Sequence, residues 1–366
     1  MKILHAILSE GFYGSERYCI ELATAQARAG HQVEVLIADD SSDCARIFRR
    51  EIADTMGAIG PGGPGRIGLV VLPNWLPTWL HRPTAARALA RFKPDLVHSH
   101  LNPAARRVGG VAQDRGIAHV ATLHLDYEPR EHARCDGLIA IASWQRERIG
   151  PEFRGHAAVI WNWLPVAMRE ALARTTPAER TDIRRQWHAD DAAMVVGSIG
   201  RLTPAKGMDL LVRAFRLAFP GGDEPVRLVI LGDGPQRDEL ARSAAGDDRI
   251  LLLRPQAEVA ALYGGFDAFV SAARFEPFGL AILEAMAAGL PLVLTRTDGP
   301  REFVADAPAS WVKPDDETAL AGALQAACAR GPKRIAYDLA RFAPQRALAE
   351  IEDFYRVVLA RRHSHL

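Results

Sequence analysis

The sequence predicts an α/β protein made of two doubly wound halves. Three observations carry that expectation. Apolar runs of strand length alternate with helical stretches along both halves. Several of these runs stop at a glycine-containing turn that opens the next helix. The chain has 366 residues, enough for two domains of ordinary size. Hydrophobic content of 48% with 24% charged residues belongs to a globular chain rather than a disordered one. A formal charge of +1 gives no electrostatic footprint for nucleic acid.

In chain order, residues 2–8 read as a buried strand. Gly11-Phe12-Tyr13-Gly14-Ser15-Glu16-Arg17 is the turn after it, with Ser15 as N-cap of a helix over 16–29 that ends at Gly30. Residues 33–38 form the next strand. This opening is the unit of a doubly wound sheet, whose ligands sit at the carboxyl ends of its strands. The glycine- and proline-rich segment 57–68 reads as a surface loop, because its prolines remove backbone donors that a phosphate would need. Trp75 and Trp79, with Leu76 and Leu80, are expected to be buried; the alternative is an exposed apolar lip for a lipid-linked ligand. A short strand over 95–100 ends in His98-Ser99-His100. Such a pair can bind metal, but no third ligand is evident in the sequence, so no metal site is expected. Residues 119–123 are another strand, ending at His124, and 136–142 another. Thr176-Pro177 starts a helix that runs to about Trp187.

The second half repeats the rhythm. Strands are expected over 194–199, 226–231, 250–253, 268–272 and 291–295, and helices over 208–219, 236–245 and 259–264. A final helix spans 344–362. Cys19, Cys44, Cys135 and Cys328 are scattered without a CxxC, so neither a zinc site nor a disulfide framework is expected, and a reducing cytoplasm fits. The apolar start is too short for a signal peptide, and no apolar run approaches the roughly 20 residues of a membrane span.

The rest of the chain is organised around residues 274–291. Glu276 and Glu284 bracket a Pro277-Phe278-Gly279 turn, followed by an apolar helix that stops at Gly289-Leu290-Pro291. A helix starting near Phe278 points free N–H groups and positive dipole at an anion such as phosphate. The carboxylates suit hydroxyls, since each can accept two hydrogen bonds from a vicinal diol. A ligand with phosphates and diol-bearing rings is a nucleotide sugar; the plain alternative is a strand–turn–helix with a capping carboxylate. Arg201 and Lys206 lie five apart in a glycine-flanked turn (Gly200, Gly207), so both can reach one anion. No Asp-x-Asp is present to hold a metal against a departing phosphate, so fixed cations and a helix terminus are the expected substitute.

Glu276-Pro-Phe-Gly-x4-Glu284 resembles the signature of the retaining GT-B glycosyltransferases, the group-1 (GT4-like) family. The Gly200-Arg201…Lys206-Gly207 turn, Gly232-Asp233-Gly234 and Gly299-Pro300-Arg301-Glu302 match that family in type and order. There are departures. Tyr13 replaces the first glycine of the usual Gly-Gly pair, Trp163 and Pro165 replace hinge residues around Asn162, and Leu253-Arg254-Pro255 stands where the family has Phe-x-Gly against the base.

The resemblance implies a GT-B fold, two Rossmann-like domains facing a central cleft, over residues 1–165 and 166–343, with 344–366 packing back on the first. It implies a metal-independent enzyme, with no cofactor, that moves a sugar from a nucleotide-sugar donor to a glycan or lipid-linked acceptor. A UDP-sugar is favoured and a GDP-sugar is the alternative. The setting is lipopolysaccharide or other cell-surface polysaccharide synthesis, in the cytoplasm with peripheral contact at the inner membrane face. Catalytic roles fall to His124, Arg201, Lys206 and Glu276. Donor binding falls to Gly14, Ser15, Gly200, Arg201, Lys206, Phe278, Gly279, Leu280 and Glu284. Two alternatives share the fold class: a nucleotide-sugar epimerase, and a non-catalytic nucleotide-sugar-binding subunit.

Overall fold

The computed structural model describes residues 1–9, 11–39, 42–73, 78–222, 224–256 and 259–363. Trp75 and Leu76, and the side chain of Trp79, on which the apolar-lip alternative turns, lie outside them. The chain divides into two compact units: Met1–Trp163 with Pro344–Leu366, and Leu164–Ala343.

The first unit is built on a parallel sheet. Its strands are β1 (Lys2–Ile7), β2 (Gln32–Asp39), β3 (Arg66–Pro73), β4 (Leu96–His100), β5 (Ala118–Leu123), β6 (Gly137–Ala140) and β7 (His156–Val159), in the order β3-β2-β1-β4-β5-β6-β7. The second carries β8 (Met194–Ile199), β9 (Val226–Leu231), β10 (Ile250–Leu253), β11 (Ala268–Ser271), β12 (Leu292–Thr295) and β13 (Ala309–Val312), in the order β10-β9-β8-β11-β12-β13. Helices on both faces bury the central strands almost entirely, which is why β1, β5 and β8 read as mostly apolar runs, while β4 carries His98, Ser99 and His100 into the same buried layer. In each sheet the order reverses once, between β1 and β4 and between β8 and β11. A crevice opens at the carboxyl ends of such a pair, where ligands of doubly wound sheets bind.

The long helix Pro344–His363 belongs to the first unit. Ala347, Ile351, Phe354, Tyr355 and Val358 pack with Ile3, Leu22, Val120 and Ile139, and Arg362 pairs with Asp136 at 2.7 Å. In the second unit Asp267, 3% exposed, accepts from Val195 N at 2.9 Å and pairs with Arg180 and Arg184, fastening helix Pro177–Gln186 to the edge of β11.

Two expectations about helix starts are corrected. The first helix spans Gly14–Arg28, its N-cap is Tyr13, and the Glu16 carboxylate accepts from Tyr13 N at 2.8 Å. Ser15 therefore lies inside the first turn rather than at the cap, because Glu16, 1% exposed, already satisfies the leading N–H. The helix expected from Phe278 begins at Leu280, since Phe278 is drawn into the core and stacks on Phe303 with centroids 4.7 Å apart. Strands β3, β7 and β13 and helix Glu317–Ala329 were not anticipated from the sequence.

Candidate active site

In the second unit the site is assembled where β8 and β11 end. Beyond β8, Gly200 and the exposed Arg201 lead into a short turn, Pro204–Lys206, closed by Gly207. Gly207 has φ +64°, and a Cβ there would stand 2.0 Å from the carbonyl oxygen of Ala272. Only glycine lets this turn press on the end of β11. The contact is hydrogen-bonded: Ala205 O accepts from Arg274 N at 2.8 Å and Phe275 N at 3.1 Å.

The Arg274 side chain completes the stitch. It donates to Pro204 O at 2.7 Å, forks onto both oxygens of Asp209 at 2.8 Å each, and reaches Asp315 at 2.6 Å. This hydrogen-bonded fork holds the Asp209 carboxyl down at about 2. With the two segments locked, Lys206 Nζ meets Glu276 Oε2 at 2.5 Å, both side chains largely shielded. The proposed cation and the proposed sugar-facing carboxylate, 70 residues apart in sequence, are direct neighbours.

Gly279, at φ +107°, caps helix Leu280–Ala287 and turns its leading N–H groups out beyond the strand ends. Glu284 lies on that helix, and its Oε2 accepts from the hydroxyl of Tyr263 at 2.6 Å. Tyr263 is fully buried and its hydroxyl also reaches Ala281 O at 3.2 Å. Sequence reasoning missed Tyr263, because nothing in the short helix Val259–Gly265 marks one tyrosine as facing a helix that begins 17 residues later. Arg201 stands on the same strand end, exposed.

In the first unit Gly14 opens the helix after β1, and the Ser15 hydroxyl donates to the Glu16 carboxylate at 3.1 Å. His124, just past β5, is partly buried. It is the outer member of a histidine cluster that includes His5, which parallel pairing of β1 with β4 sets opposite His98. His5, His98 and His100 offer nitrogens within 4.8 Å of one another, so a third histidine that the sequence did not reveal joins the pair. The reason is tertiary: 93 residues separate His5 from His98 in the chain. Every ring nitrogen of these three already has a hydrogen-bond partner. Burial pushes His5 down to about 4 and His124 to about 3, so both rings are neutral at ordinary pH.

Two parallel-sheet units of GT-B type, one with a cation–carboxylate pair at its switch point, make a sugar-transfer enzyme of the nucleotide-binding class the natural comparison. Residues 12–187 match the family model described as Glycosyltransferase Family 4, and residues 193–330 match that described as Glycosyl transferases group 1. The chain belongs to the group-1, family-4 glycosyltransferases. It is 28% identical over 320 residues to a GDP-mannose-dependent alpha-mannosyltransferase of Mycobacterium tuberculosis, covering 82% of this chain and 80% of that one. It is 29% identical over 327 residues to a D-inositol 3-phosphate glycosyltransferase of Actinosynnema mirum, covering 78% and 76%. Among solved structures, Anabaena HepE in complex with UDP-glucose superposes with a TM-score of 0.72 at 21% identity over the full length of both chains, which speaks for the fold. A glycosyltransferase from Rickettsia africae gives a TM-score of 0.77 at 17% identity, covering 98% of both chains.

Proposed function

We propose that this glycosyltransferase moves a sugar from a nucleoside-diphosphate donor to a hydroxyl of a glycan or lipid-linked acceptor, with retention of configuration and without a metal. The contact between Lys206 and Glu276 at the end of β8 and β11 carries the reading. A lysine ammonium there meets the charge that develops on the departing β-phosphate, and the adjacent carboxylate accepts from sugar hydroxyls. Arg201 and the leading N–H groups of helix Leu280–Ala287 add to the anion field. Glu284, its carboxylate oriented by Tyr263, takes the ribose diol. Gly200 and the 278–280 backbone line the phosphates, Gly14 and Ser15 belong to the first unit's share of donor contact, and His124 faces sugar hydroxyls.

A UDP-sugar is our first choice of donor. A GDP-sugar is the second, supported by the mannosyltransferase relative whose name specifies GDP-mannose. The acceptor belongs to cell-envelope polysaccharide, lipopolysaccharide included, reached from the cytoplasmic membrane face. Among the described residues no helix is long and apolar enough to cross a membrane.

The test is to incubate the protein with UDP-glucose, GDP-mannose or ADP-glucose in excess EDTA without acceptor. Slow release of the nucleoside diphosphate is expected. Sugar interconversion would mark an epimerase, and a donor bound but left intact a binding subunit. Activity abolished by EDTA and restored by Mn²⁺ would refute metal independence.

Tyr263→Phe removes one hydrogen bond to the Glu284 carboxylate and leaves the packing of the ring. A hydrogen bond to a charged group is worth about 1.5–3 kcal/mol, or roughly tenfold or more in affinity. Donor KM should rise by about that factor with kcat nearly unchanged, because the ribose contact is the same in ground and transition states. A variant with unaltered donor KM would remove Glu284 from the ribose.

A further inference from the structure

The histidine cluster of the first unit has a direction. Gln26 presents its carbonyl Oε1 to His5 Nε2 at 2.7 Å and its amide nitrogen to the Tyr355 hydroxyl at 3.3 Å. In this orientation of the Gln26 amide its carbonyl oxygen can only accept, so His5 carries its proton on Nε2. A neutral ring then has only a lone pair on Nδ1. His100 Nε2, 3.0 Å away, must be the donor to it, which leaves His100 Nδ1 as an acceptor. His124 Nε2 lies 3.1 Å from that Nδ1 and must donate in turn. The other branch can follow the same sense: Tyr355 accepts from Gln26, donates to His98 Nδ1 at 2.5 Å, and His98 Nε2 donates to Thr122 Oγ1 at 2.7 Å. Each ring nitrogen along the path is used once.

The path ends at His124 Nδ1, which has no hydrogen bond among the described residues. The His124 ring is held by Tyr18, edge-on at 5.0 Å, as well as by His100. We infer that the buried relay Gln26–His5–His100 fixes His124 in the Nε2–H tautomer, making its Nδ1 a permanent hydrogen-bond acceptor that receives a ligand hydroxyl and rejects a phosphate oxygen. His5, His100 and Gln26 are positioning residues. The consequence for ligand chemistry rests on the reading of His124 as a sugar-facing group; the tautomer itself does not. Burial supports the inference by keeping every ring of the relay neutral: His100 and His98 are pushed well below the usual histidine range. A charged relay would reach His124 with a donor on both nitrogens.

The experiment uses the full chain labelled with ¹⁵N-histidine. Long-range ¹H–¹⁵N correlation at pH 7.5 should show His5, His100 and His124 with protonated Nε2 and bare Nδ1. The reverse assignment, Nδ1–H along the relay, overturns the inference, and so does a resonance pattern that changes on removing bound metal. His100→Gln can still donate to His5 and accept from His124, whereas His100→Leu can do neither. The Leu variant should shift His124 toward a mixture of tautomers, and the Gln variant should restore the wild-type signal; an unmoved His124 in folded His100→Leu also overturns it.

Kinetics provide the functional arm, read as nucleoside-diphosphate release from UDP-glucose and GDP-mannose. His100→Leu should cost about tenfold in kcat/KM in the wild-type background and nothing further in His124→Ala, because the two act as one unit. Additive losses would make His100 merely structural. Wild-type release by His124→Ala would instead refute the sugar-facing role and leave the NMR result to judge the relay separately.

Discussion

Lys206→Ala is expected to lower kcat by about a hundredfold or more, the usual cost, on the order of 3 kcal/mol, of deleting one electrostatic group aimed at transition-state charge. The geometry adds a second effect. Lys206 Nζ is the immediate partner of Glu276, whose side chain is 13% exposed, so the alanine leaves a carboxylate uncompensated beside the incoming phosphates. Donor affinity should therefore fall as well. Lys206→Ala combined with Glu276→Gln removes that repulsion and should recover donor binding while kcat stays low. Steady-state kinetics on both, with folding checked by circular dichroism, decide the matter. Near-normal turnover in folded Lys206→Ala would sink the assignment of the site. If Glu276 and Glu284 merely cap and solubilise, Glu276→Ala would likewise retain wild-type kinetics.

The second large effect is on stability against acid. His5, His98, His100 and His119 are all buried, at most 1% exposed. Burial lowers each, His5 to about 4 and His119 to about 3, against an ordinary value of 6.5. A histidine depressed in the folded state binds its proton more readily when unfolded. Its contribution is complete above pH 6.5 and is lost progressively as pH falls from there toward the folded value. Each costs about 1.4 kcal/mol at one pH unit below 6.5, so four together cost on the order of 5 kcal/mol at pH 5.5. For a domain of this size that is roughly 10–20 °C in melting temperature. Calorimetry at pH 7.5 and 5.5 should show one transition falling by that much. Equal midpoints at the two pH values would mean that these rings are protonated or solvated in the folded protein.

How much of this was legible beforehand differs between the halves. In the second unit β8, β9 and β10 fall on the residues expected, because each is a short apolar run closed by Gly, Pro or Asp, and local chemistry settles such boundaries. The edge strands β3, β7 and β13 were missed. β7 and β13 are only four residues long and mostly half-buried, so their apolar signal is weak, whereas the apolar run of β3, from Ile67 to Leu72, is obscured by the glycine- and proline-rich segment that leads into it. Capping preference alone points to Ser15 as the N-cap of the first helix, and the carboxylate of Glu16 moves the cap to Tyr13.

The sequence by itself determined the α/β class, the strand-end position of the glycine turns, and the residue types at the site: Arg201 and Lys206 in one turn, Glu276 and Glu284 around another. These follow from neighbours within a few positions, where dihedral preference and side-chain spacing act directly. Only the tertiary structure decided who touches whom. Lys206 reaches Glu276 because β8 and β11 are adjacent in the sheet and Arg274 ties their two loops together. Tyr263 finds Glu284, and His5 joins His100, across separations of 21 and 95 residues. Such pairs are set by strand order and helix packing, which depend on burying apolar surface over the whole unit, and no local pattern of residues encodes them.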